Sequence, residues 1–510
     1  MCRNRISRGV ITAFAQLLSP IANRFYSALE HPQQAQNAVQ QRLVRQLQRC
    51  EYGQQYQIRS VEDWHRLPIV AYEDLEPWIP SSTAVSKKRI GITPDPILFY
   101  ELTSGSSGPR KQIPYTRALL RSFNHLFCIW AHDLITCGPR FESGKFYFSI
   151  SPSFSQADSS QGTTDDADYL SPWLRWLLRP FLVVAPSAKT PEDFKNKLAH
   201  TLLVAKDLEI ISIWSPSFLS AQLDYIQRHQ VRLADELSGS LGRERTALLS
   251  QANVPWAQLW PNLKLISCWD SATAADGASG LRSRFPNVLL QGKGLLATEA
   301  PMTLPLLEAK GHVPLLSDVY FEFEGEDGEC YGLHQLEVGC VYEMIISQMG
   351  GLYRYRMGDR IKVTHYFRNT PCLEFVGRGA AVSDLVGEKL HIQFVGDVLA
   401  SLDLSPSSFQ CLVPVRQPKE HYALLLDYFE GDIETTTQQL EDALEKSFHY
   451  KLARQLGQLA PAKIIVCSTI AEQLASERLK AGQRWGDMKH TKLSDIAYES
   501  LSFVCDGQHS

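Results

Sequence analysis

Apolar residues recur at helical spacing through the first eighty positions of the chain. In Gln40–Cys50, the residues Leu43, Val44 and Leu47 fall on one face of a 3.6-residue repeat, among glutamine and arginine. Arg59–Pro80 predicts another short helix followed by a loop. The pattern therefore predicts a helical start to the fold.

The apolar run Val10–Leu18 follows three arginines and is similar in outline to a secretory signal peptide. Thr12 and Gln16 interrupt the run, and no small-residue cleavage site separates it from the helical sequence that follows. We interpret it as the first amphipathic helix. Since no apolar run approaches the roughly 20 residues that span a bilayer, we expect a soluble, cytoplasmic protein with no membrane partner.

Between Leu98 and Phe375 short apolar, β-branched and aromatic runs alternate with helix-like stretches. This alternation is typical of a layered α/β architecture. The predicted strands are Lys145–Ile150, Leu208–Trp214, Leu263–Trp269 and Val288–Leu290, and the predicted helices include Phe194–Lys206 and Phe218–His229.

Three later runs, Val319–Phe323, Val341–Ser347 and Leu352–Val363, lie closer together and are separated by turn-like sequence. Their spacing predicts antiparallel hairpins that close the same domain. The acidic stretch Glu324–Glu329 predicts a hairpin turn rather than a calcium loop, because its carboxylates lack the ligand spacing of such a loop.

The order of predicted helices and strands changes again after Gly377, where a small α+β domain is predicted. We therefore expect two domains, residues 1–376 and 377–510. The elements predicted for the second are a helix over Glu388–Leu402, strands over Phe409–Val415 and Tyr422–Tyr428, a long helix over Ile433–Leu459 and a strand over Lys463–Thr469.

Composition excludes some classes of function. The 51 lysines and arginines against 55 aspartates and glutamates give a net charge of −4, which provides no bulk basic surface for a nucleic-acid backbone. The 11 cysteines are scattered and form no Cys-x-x-Cys pair, so we predict neither a zinc ribbon nor a disulfide framework.

The segment Leu102–Thr116 has the composition of a phosphate-binding loop. Its serines and glycines allow backbone N–H groups to crowd round an anion, and Arg110 and Lys111 add positive charge. It is neither a Walker A loop nor a Gly-x-Ser-x-Gly nucleophile elbow, because Pro109 occupies the last required glycine of the elbow. The alternative interpretation is a polar surface loop.

A second segment, Gly351–Asp359, reads Gly-Leu-Tyr-Arg-Tyr-Arg-Met-Gly-Asp. In a strand its two tyrosines would share one face and its two arginines the other. Gly358 relaxes the backbone before Asp359, whose carboxylate could then accept two hydrogen bonds from a ribose diol. The alternative is an edge strand with a solvated Arg/Tyr ladder and a turn aspartate.

The third segment, Gly294–Ala300, places Thr298 beside Glu299 just after a predicted strand. A hydroxyl and a carboxylate at a strand end could bind a metal–phosphate group. A helix N-cap with a glutamate in the first turn is the alternative. His125 and His132, seven apart on one predicted helix, have no evident third ligand and are interpreted as polar core or surface residues.

Taken in order, these segments resemble the auxin-responsive-promoter family of acyl-acid amido synthetases, in the adenylate-forming superfamily. Thr103–Pro114 resembles the phosphate loop of that family, and Gly351–Asp359 matches its Gly-Leu-Tyr-Arg-Tyr-Arg-x-Gly-Asp signature throughout. The N-terminal sequences Glu51–Gly53 and Pro68–Leu75 are also similar to it. The likeness runs from about residue 40 to 390.

The chain departs from the family pattern at two places. The family's Tyr-x-Ser-Ser-Glu segment stands here as Leu296–Glu299, which keeps the carboxylate but loses the aromatic residue and one serine. The C-terminal Gly-Gln-x-Lys lysine is displaced, so that either Lys489 or Lys492 takes its position. Phe375–Arg378 and the residues after it resemble the superfamily's hinge.

The resemblance implies a large N-terminal adenylate-forming α/β domain with β-sheets and a β-barrel-like part, followed by a small mobile α+β domain. It implies that ATP, with Mg²⁺, converts a carboxylic acid into an acyl-adenylate, which an amine then captures. The implied catalytic residues are Lys489, Lys111 and Glu299, with Glu299 also at the metal; the implied nucleotide-binding residues are Thr103, Ser104, Gly105, Ser106, Ser107, Gly108, Thr298, Tyr355, Asp359 and Arg378.

The expected partners are thus a small carboxylic acid and an amine, with an amino acid as the family-level expectation. Two other readings stay open at this stage. An acyl-CoA or carrier-thiol ligase would need the same adenylate, and an inactive relic would bind ATP or an acid without turnover. The sequence does not identify the acid, the amine or the oligomeric state.

Overall fold

The computed structural model describes residues 2–80, 91–102, 111–148, 172–188, 190–271, 274–325, 327–378, 382–383, 385, 388, 390–405, 407–416, 419–455, 459–480 and 491–494. The chain forms two compact units, residues 1–376 and 377–510. Within the described ranges, no helix is both long enough and apolar enough to cross a membrane.

The first unit begins with helices and continues as alternating helices and strands. In chain order its elements are α1 (Cys2–Glu30), α2 (Pro32–Leu47), α3 (Glu51–Gln55), α4 (Tyr72–Leu75), β1 (Ile97–Leu102), β2 (Gln112–Thr116), α5 (Arg117–Cys137), β3 (Lys145–Phe148), α6 (Pro172–Leu178), β4 (Leu182–Val183), α7 (Pro191–Val204), β5 (Leu208–Ser212), α8 (Pro216–Arg228), α9 (Gln230–Leu249), α10 (Trp256–Leu259), β6 (Leu265–Cys268), α11 (Ala275–Arg284) and β7 (Leu289–Gly292).

Short strands and a larger antiparallel sheet complete this unit. They are β8 (Leu296–Ala297), β9 (Ala300–Pro301), β10 (Thr303–Leu306), β11 (Gly311–Pro314), β12 (Tyr320–Glu324), β13 (Cys330–Gly332), β14 (Val341–Ser347), β15 (Tyr355–Phe367) and β16 (Thr370–Arg378). Short 3₁₀ helices lie at Val61–Arg66, Glu76–Trp78 and Leu333–Gln335.

A five-stranded parallel sheet has the order β4-β3-β5-β6-β7. Its strands are short and apolar, as expected where helices cover a sheet, and residues such as Leu198, Ile211 and Leu223 form one core with the surrounding helices. The chain places β4 on one side of β3 and β5 on the other. The strand order therefore reverses between β3 and β5, where Phe148 pairs with Ser212.

Glu209, in β5, holds the turn that precedes β3. Its carboxylate accepts hydrogen bonds from the backbone N–H groups of Glu142 (2.8 Å), Ser143 (3.0 Å) and Gly144 (2.8 Å). It also pairs with the Lys264 ammonium at 2.7 Å, and its side chain is 2% exposed. A buried carboxylate with this many donors holds the turn before β3 against β5 and β6.

The antiparallel sheet has the order β13-β12-β14-β15-β16. The pairs β12–β13, β12–β14 and β14–β15 are antiparallel, which confirms the predicted hairpins. Between β12 and β13, the Gly325 N–H donates to the Glu329 carbonyl at 2.9 Å. Phe321, Phe323 and Ile346 join the N-terminal helices in one core.

The second unit contains β17 (Val382–Ser383), β18 (Leu390–His391), α12 (Ile392–Ala400), β19 (Gln410–Val415), β20 (His421–Leu426), α13 (Ile433–Leu444), α14 (Phe448–Gln455), β21 (Lys463–Val466) and α15 (Ile470–Lys480). β20 pairs antiparallel with β19 and parallel with β21. Residues 491–494 extend this sheet, because the Leu412 N–H donates to the Lys492 carbonyl (2.8 Å) and the Ser494 N–H to the Leu412 carbonyl (2.9 Å).

The prediction of one long helix over Ile433–Leu459 is wrong, since the chain turns between α13 and α14. Buried Glu441 accepts hydrogen bonds from the Tyr450 hydroxyl (3.0 Å) and the Ala462 N–H (2.8 Å), and pairs with Arg454. In a straight helix a residue nine positions away lies on the opposite face. The chain must therefore turn back before Tyr450 can reach this carboxylate.

We expect Glu209→Ala to lower the free energy of unfolding of the first unit by about 3 kcal/mol or more, because it leaves Lys264 and three backbone donors without their shared acceptor. Urea unfolding followed by near-ultraviolet circular dichroism measures the loss. Glu244→Ala, which changes an exposed glutamate on α9, is the control. Equal midpoints for the two variants would contradict this role for Glu209.

Candidate functional site

The signature segment Gly351–Asp359 is a loop in its first half and a strand only in its second. The prediction of a continuous strand is wrong up to Arg354, because Gly351 (φ +118°) and Arg354 (φ +46°) have left-handed backbone that cannot continue a strand. A Cβ on Gly351 would lie 2.9 Å from the Ile92 side chain. Strand β15 therefore begins at Tyr355.

The two tyrosines of the segment are buried. Tyr353 stacks on Tyr52, with ring centroids 5.9 Å apart and planes 12° from parallel, and burial raises the pKa of Tyr353. Tyr355 opens β15 and pairs with Val70, whose N–H donates to the Arg354 carbonyl at 3.1 Å. The N-terminal region is thereby joined directly to the signature.

The arginines of the segment form ion pairs within the protein. The Arg354 guanidinium pairs with Glu322 at 3.0 Å, and both side chains are largely buried. Arg356 pairs with Glu324 and with Glu343, and its hydrogen bond to Glu324 lowers the pKa of that carboxyl. Since β15 lies between β14 and β16, the alternative of an edge strand with a solvated ladder is wrong.

A β-bulge lies directly before Asp359. The pairing of β14 with β15 slips between Glu343, opposite Arg360, and Ile345, opposite Arg356. Gly358 has φ +75° within this slip, a conformation that glycine adopts at little cost. Asp359 follows it and is 3% exposed. The bulge therefore sets the direction in which this carboxylate leaves the strand.

Thr298 and Glu299 form the two-residue turn of the β8–β9 hairpin, so the alternative of a helix N-cap is wrong. The turn is held from two sides. The Tyr115 hydroxyl donates to the Thr298 carbonyl at 2.7 Å, and the Gln348 side-chain amide donates to the Glu299 carbonyl at 3.1 Å. Gln348 belongs to the loop between β14 and β15, so the hairpin turn is tied to that loop.

Lys111, directly before β2, connects to the same strand. Its ammonium donates to the Tyr355 hydroxyl at 3.1 Å and lies 5.7 Å from the ring centroids of both Tyr355 and Tyr72. The Tyr72 hydroxyl accepts from the Gln112 N–H at 2.8 Å and donates to the Gln112 carbonyl at 3.2 Å. Tyr72 thus fixes the first residue of β2 and the position of Lys111.

Several predicted site residues lie outside the described residues: Thr103, Ser104, Gly105, Ser106, Ser107, Gly108 and Lys489. The backbone of Arg378 ends β16, and its side chain is likewise not described. In the second unit, the Lys492 ammonium donates to the Gln410 side-chain oxygen at 3.2 Å. The structure thus joins Lys111 to Tyr355, four residues before Asp359, and ties the Thr298–Glu299 turn to the loop before β15.

Sequence reasoning missed the residues that hold these groups, chiefly Gln348, Tyr115 and Tyr72. No signal in the sequence marks Gln348, because its burial is visible only in the fold, where buried amides are generally hydrogen-bonded. His125 pairs with Asp318 at 2.9 Å, and the His132 ring packs 6.1 Å from Tyr26. Both histidines therefore have structural contacts.

Comparison with known proteins gives consistent matches along the chain. Models of the GH3 family match its N-terminal domain at residues 21–245, its central domain at 312–378 and its C-terminal domain at 392–496. The 4-substituted benzoates-glutamate ligase GH3.12 of Arabidopsis thaliana is 25% identical over 440 residues, 73% of this chain and 74% of that protein. The indole-3-acetic acid-amido synthetase GH3.10 of the same species is 22% identical over 477 residues, 78% and 80% of the two chains.

A solved structure shows the same fold. The acyl acid amido synthetase AtGH3.15, in complex with 2,4-DB, superimposes with a TM-score of 0.78 at 19% identity, covering 96% of this chain and 95% of that one. The fold expected from the resemblance, a large mixed α/β part followed by a smaller one, is confirmed. Because the three family models together match most of the chain, it belongs to the GH3 family.

Proposed function

We propose that this protein is an ATP-dependent acyl-acid amido synthetase. A carboxylate oxygen attacks the α-phosphorus of ATP and releases pyrophosphate, giving an acyl-adenylate. An amine then attacks the acyl carbon, forms the amide and releases AMP. Membership of the GH3 family supports this reaction, as do the names of its relatives, which are amido synthetases and an acid–glutamate ligase. An amino acid is the proposed amine.

The observation that carries the proposal is the contact between Lys111 and Tyr355. It brings the residue that follows the serine-glycine segment to the strand that bears Asp359, although the two are far apart in sequence. ATP needs positive charge and N–H donors at its phosphates, and an acceptor at its ribose. Lys111 and the residues before it would supply the positive charge and the N–H donors, and Asp359 would supply the acceptor for the ribose. Tyr355 would lie between them.

The main barrier is electrostatic, because an anion must attack a phosphate that is already negatively charged. A fixed ammonium lowers this barrier without reorganising during the reaction. We assign that role to Lys111, and we assign contacts with the β- and γ-phosphates to Thr103–Ser107. Thr298 would face the nucleotide from the hairpin turn that Tyr115 and Gln348 hold in place.

Glu299 would hold Mg²⁺, which is the metal expected with ATP. Its carboxylate oxygens are the hard donors that this ion prefers, and its side chain is nearly buried. Among the described residues there is no cluster of three or more metal-binding side chains. Such a site fits an ion that takes most of its ligands from phosphates and water. When bound, Mg²⁺ would neutralise phosphate charge.

The second unit would complete the site, as the resemblance implies for a mobile C-terminal domain. A lysine, either Lys489 or Lys492, would act during adenylation and withdraw for amide formation, with Arg378 near the ribose. Alternation of this kind lets one pocket serve two reactions. A cytoplasmic location is consistent with the nine free cysteines among the described residues.

The central test is ATP–pyrophosphate exchange across a panel of aromatic and aliphatic acids, with Mg²⁺ present. We expect exchange that depends on the acid, and mass spectrometry should find an amide after amino acids are added. If products form only with coenzyme A or another thiol, the acceptor of the acyl group is a thiol and not an amine. Absence of exchange with every acid would contradict the proposal.

We expect Asp359→Ala to weaken ATP binding by about ten- to hundredfold, since a charged acceptor of ribose hydroxyls is lost. Lys489→Ala should leave ATP binding unchanged and slow adenylation by about a hundredfold. Calorimetric titration measures the first effect, and single-turnover formation of the adenylate measures the second. If Lys489→Ala adenylates at the normal rate while Lys492→Ala does not, the role belongs to Lys492.

Gly358→Ala should both destabilise the protein slightly and weaken ATP binding, by about fivefold or more, because the bulge that directs Asp359 requires positive φ. Gly339→Ala is a matched control: Gly339 also has positive φ, and a Cβ would meet nothing within 4 Å at either glycine. Calorimetry should show an altered ATP affinity for Gly358→Ala alone. Equal affinities in the two variants would argue against the bulge.

A further inference from the structure

A large apolar cavity lies beside the parallel sheet of the first unit. Its volume is about 870 Å³, within the usual range of pockets for small organic ligands. Helices α1, α5 and α6 and strands β3–β5 form its walls. Aromatic and aliphatic side chains dominate the lining, among them Phe14, Phe127, Trp130, Phe146, Phe148 and Leu174.

The inner end of this cavity, by which we mean the lining formed by buried Ser212 and its pairing partner Phe148, lies where the strand order of the sheet reverses. Phe148 is the last residue of β3 and Ser212 the last of β5; they pair with each other and both line the cavity. In open parallel sheets, ligands bind outside the carboxyl ends of the strands at such a reversal. The position of the cavity therefore indicates a ligand site rather than a packing fault.

A lysine ammonium lies behind the inner wall. Lys293, which follows β7 directly, donates to the Ser212 hydroxyl at 2.7 Å. Its Nζ lies 4.8, 5.4 and 5.9 Å from the ring centroids of Trp214, Phe148 and Trp130, respectively. The Trp130 ring is fixed by a 2.9 Å hydrogen bond to the Gln291 side chain. Three of these four partners of Lys293 line the cavity.

This arrangement favours one class of ligand. The cavity wall offers an apolar body a large area to bury, and the Lys293 ammonium favours an anion at the inner end, where the aromatic surroundings weaken screening. The most exposed lining residues, by which we define the mouth, are apolar as well: Trp176 is 77%, Leu17 58% and Val184 53% exposed. A ligand with one carboxylate and an extended hydrocarbon part fits both ends.

We propose that this cavity binds the acid substrate, an extended apolar monocarboxylic acid, with its carboxylate beside Lys293 and Ser212. The description of this acid as a substrate rests on the proposed function. Binding of the acid in the cavity does not depend on it. Lys293 lies five residues before Thr298, on the chain that runs from β7 into the β8–β9 hairpin. The acid would thus be held next to the proposed nucleotide site.

Arg175 and Arg179 also line the cavity and could instead hold the carboxylate. Both lie on or directly after α6, by exposed Trp176, whereas Lys293 lies behind Ser212 and Phe148 of the inner end. An acid bound through the arginines would have the reverse orientation and would present its chain, not its carboxylate, towards the hairpin. The experiment below therefore includes both sets of variants.

Equilibrium dialysis without ATP compares dodecanoate with methyl dodecanoate, which has the same chain but no charge. We expect the wild-type protein to prefer the acid by about ten- to hundredfold, the usual range for a charged hydrogen bond. Lys293→Met should remove this preference and leave binding of the ester unchanged, while Lys293→Arg should keep part of it. Lys206→Met, an exposed lysine between α7 and β5, is the matched control. A preference lost in the Arg175→Gln/Arg179→Gln variant and kept in Lys293→Met overturns the proposal.

A second pair of variants tests the cavity itself. Ala131→Phe places a ring inside it, whereas Thr136→Phe adds the same ring to an exposed position on the same helix, outside the lining. Ala131→Phe should weaken binding of both the acid and the ester by about tenfold or more, and Thr136→Phe neither. Thermal melting shows that each variant is folded. Unchanged binding in folded Ala131→Phe overturns the proposal.

Comparison with the exchange assay separates this inference from the proposed function. If dodecanoate binds in a Lys293-dependent way and no acid supports pyrophosphate exchange, the acid site stands and the ligase activity fails. If small acids support exchange while wild-type protein binds neither dodecanoate nor its ester, the ligase activity stands and this inference is overturned.

Discussion

The left-handed backbone of Arg354 determines much of what surrounds it. A residue other than glycine in this conformation costs about 1 to 3 kcal/mol. Arg354 offsets that cost with its ion pair to Glu322, a 2.7 Å hydrogen bond to the Leu67 carbonyl and an N–H donated to the Ser347 hydroxyl at 2.7 Å. Because the chain bends here, β15 begins beside Val70 and its first residue meets Lys111.

About half of the signature segment Gly351–Asp359 thus has a structural role. Both arginines of the signature form ion pairs with carboxylates of neighbouring strands. Tyr353 is fully buried and stacks on Tyr52. Tyr355 and Asp359 are the two residues of the signature that we assign to the proposed nucleotide site. The other residues of the motif fix the backbone on which these two stand.

Sequence periodicity predicted the elements best where local burial decides them. β14 has the predicted bounds, and the four predicted strands of the parallel sheet agree to within a few residues, whereas β4 was not predicted. The errors fall where one side-chain contact decides. Tyr450 must reach Glu441, which breaks a helix, and Arg354 must reach Glu322, which delays a strand. Glu322 lies in another strand, and Glu441 lies nine residues before Tyr450, a spacing that helical periodicity places on opposite faces.

The same distinction applies to the candidate site. Lys111, Thr298, Glu299 and Asp359 could be named from the sequence because their residue types suggest chemistry, and Tyr355 because its segment resembles the family signature. Gln348 and Tyr115 could not, because each acts through one long-range hydrogen bond to a carbonyl. Lys293 could not either, since its aromatic neighbours come from α5, β3 and the segment after β5.

One feature of the second unit constrains how its lysines can move. Residues 491–494 are hydrogen-bonded to Leu412 as an additional edge of the sheet, so the main chain of Lys492 cannot swing independently as a loop would. Any large displacement of the Lys492 main chain carries β19 and its neighbours with it. Such a displacement would then take the microseconds to milliseconds of a rigid-body rotation, rather than the nanoseconds of a surface-loop motion.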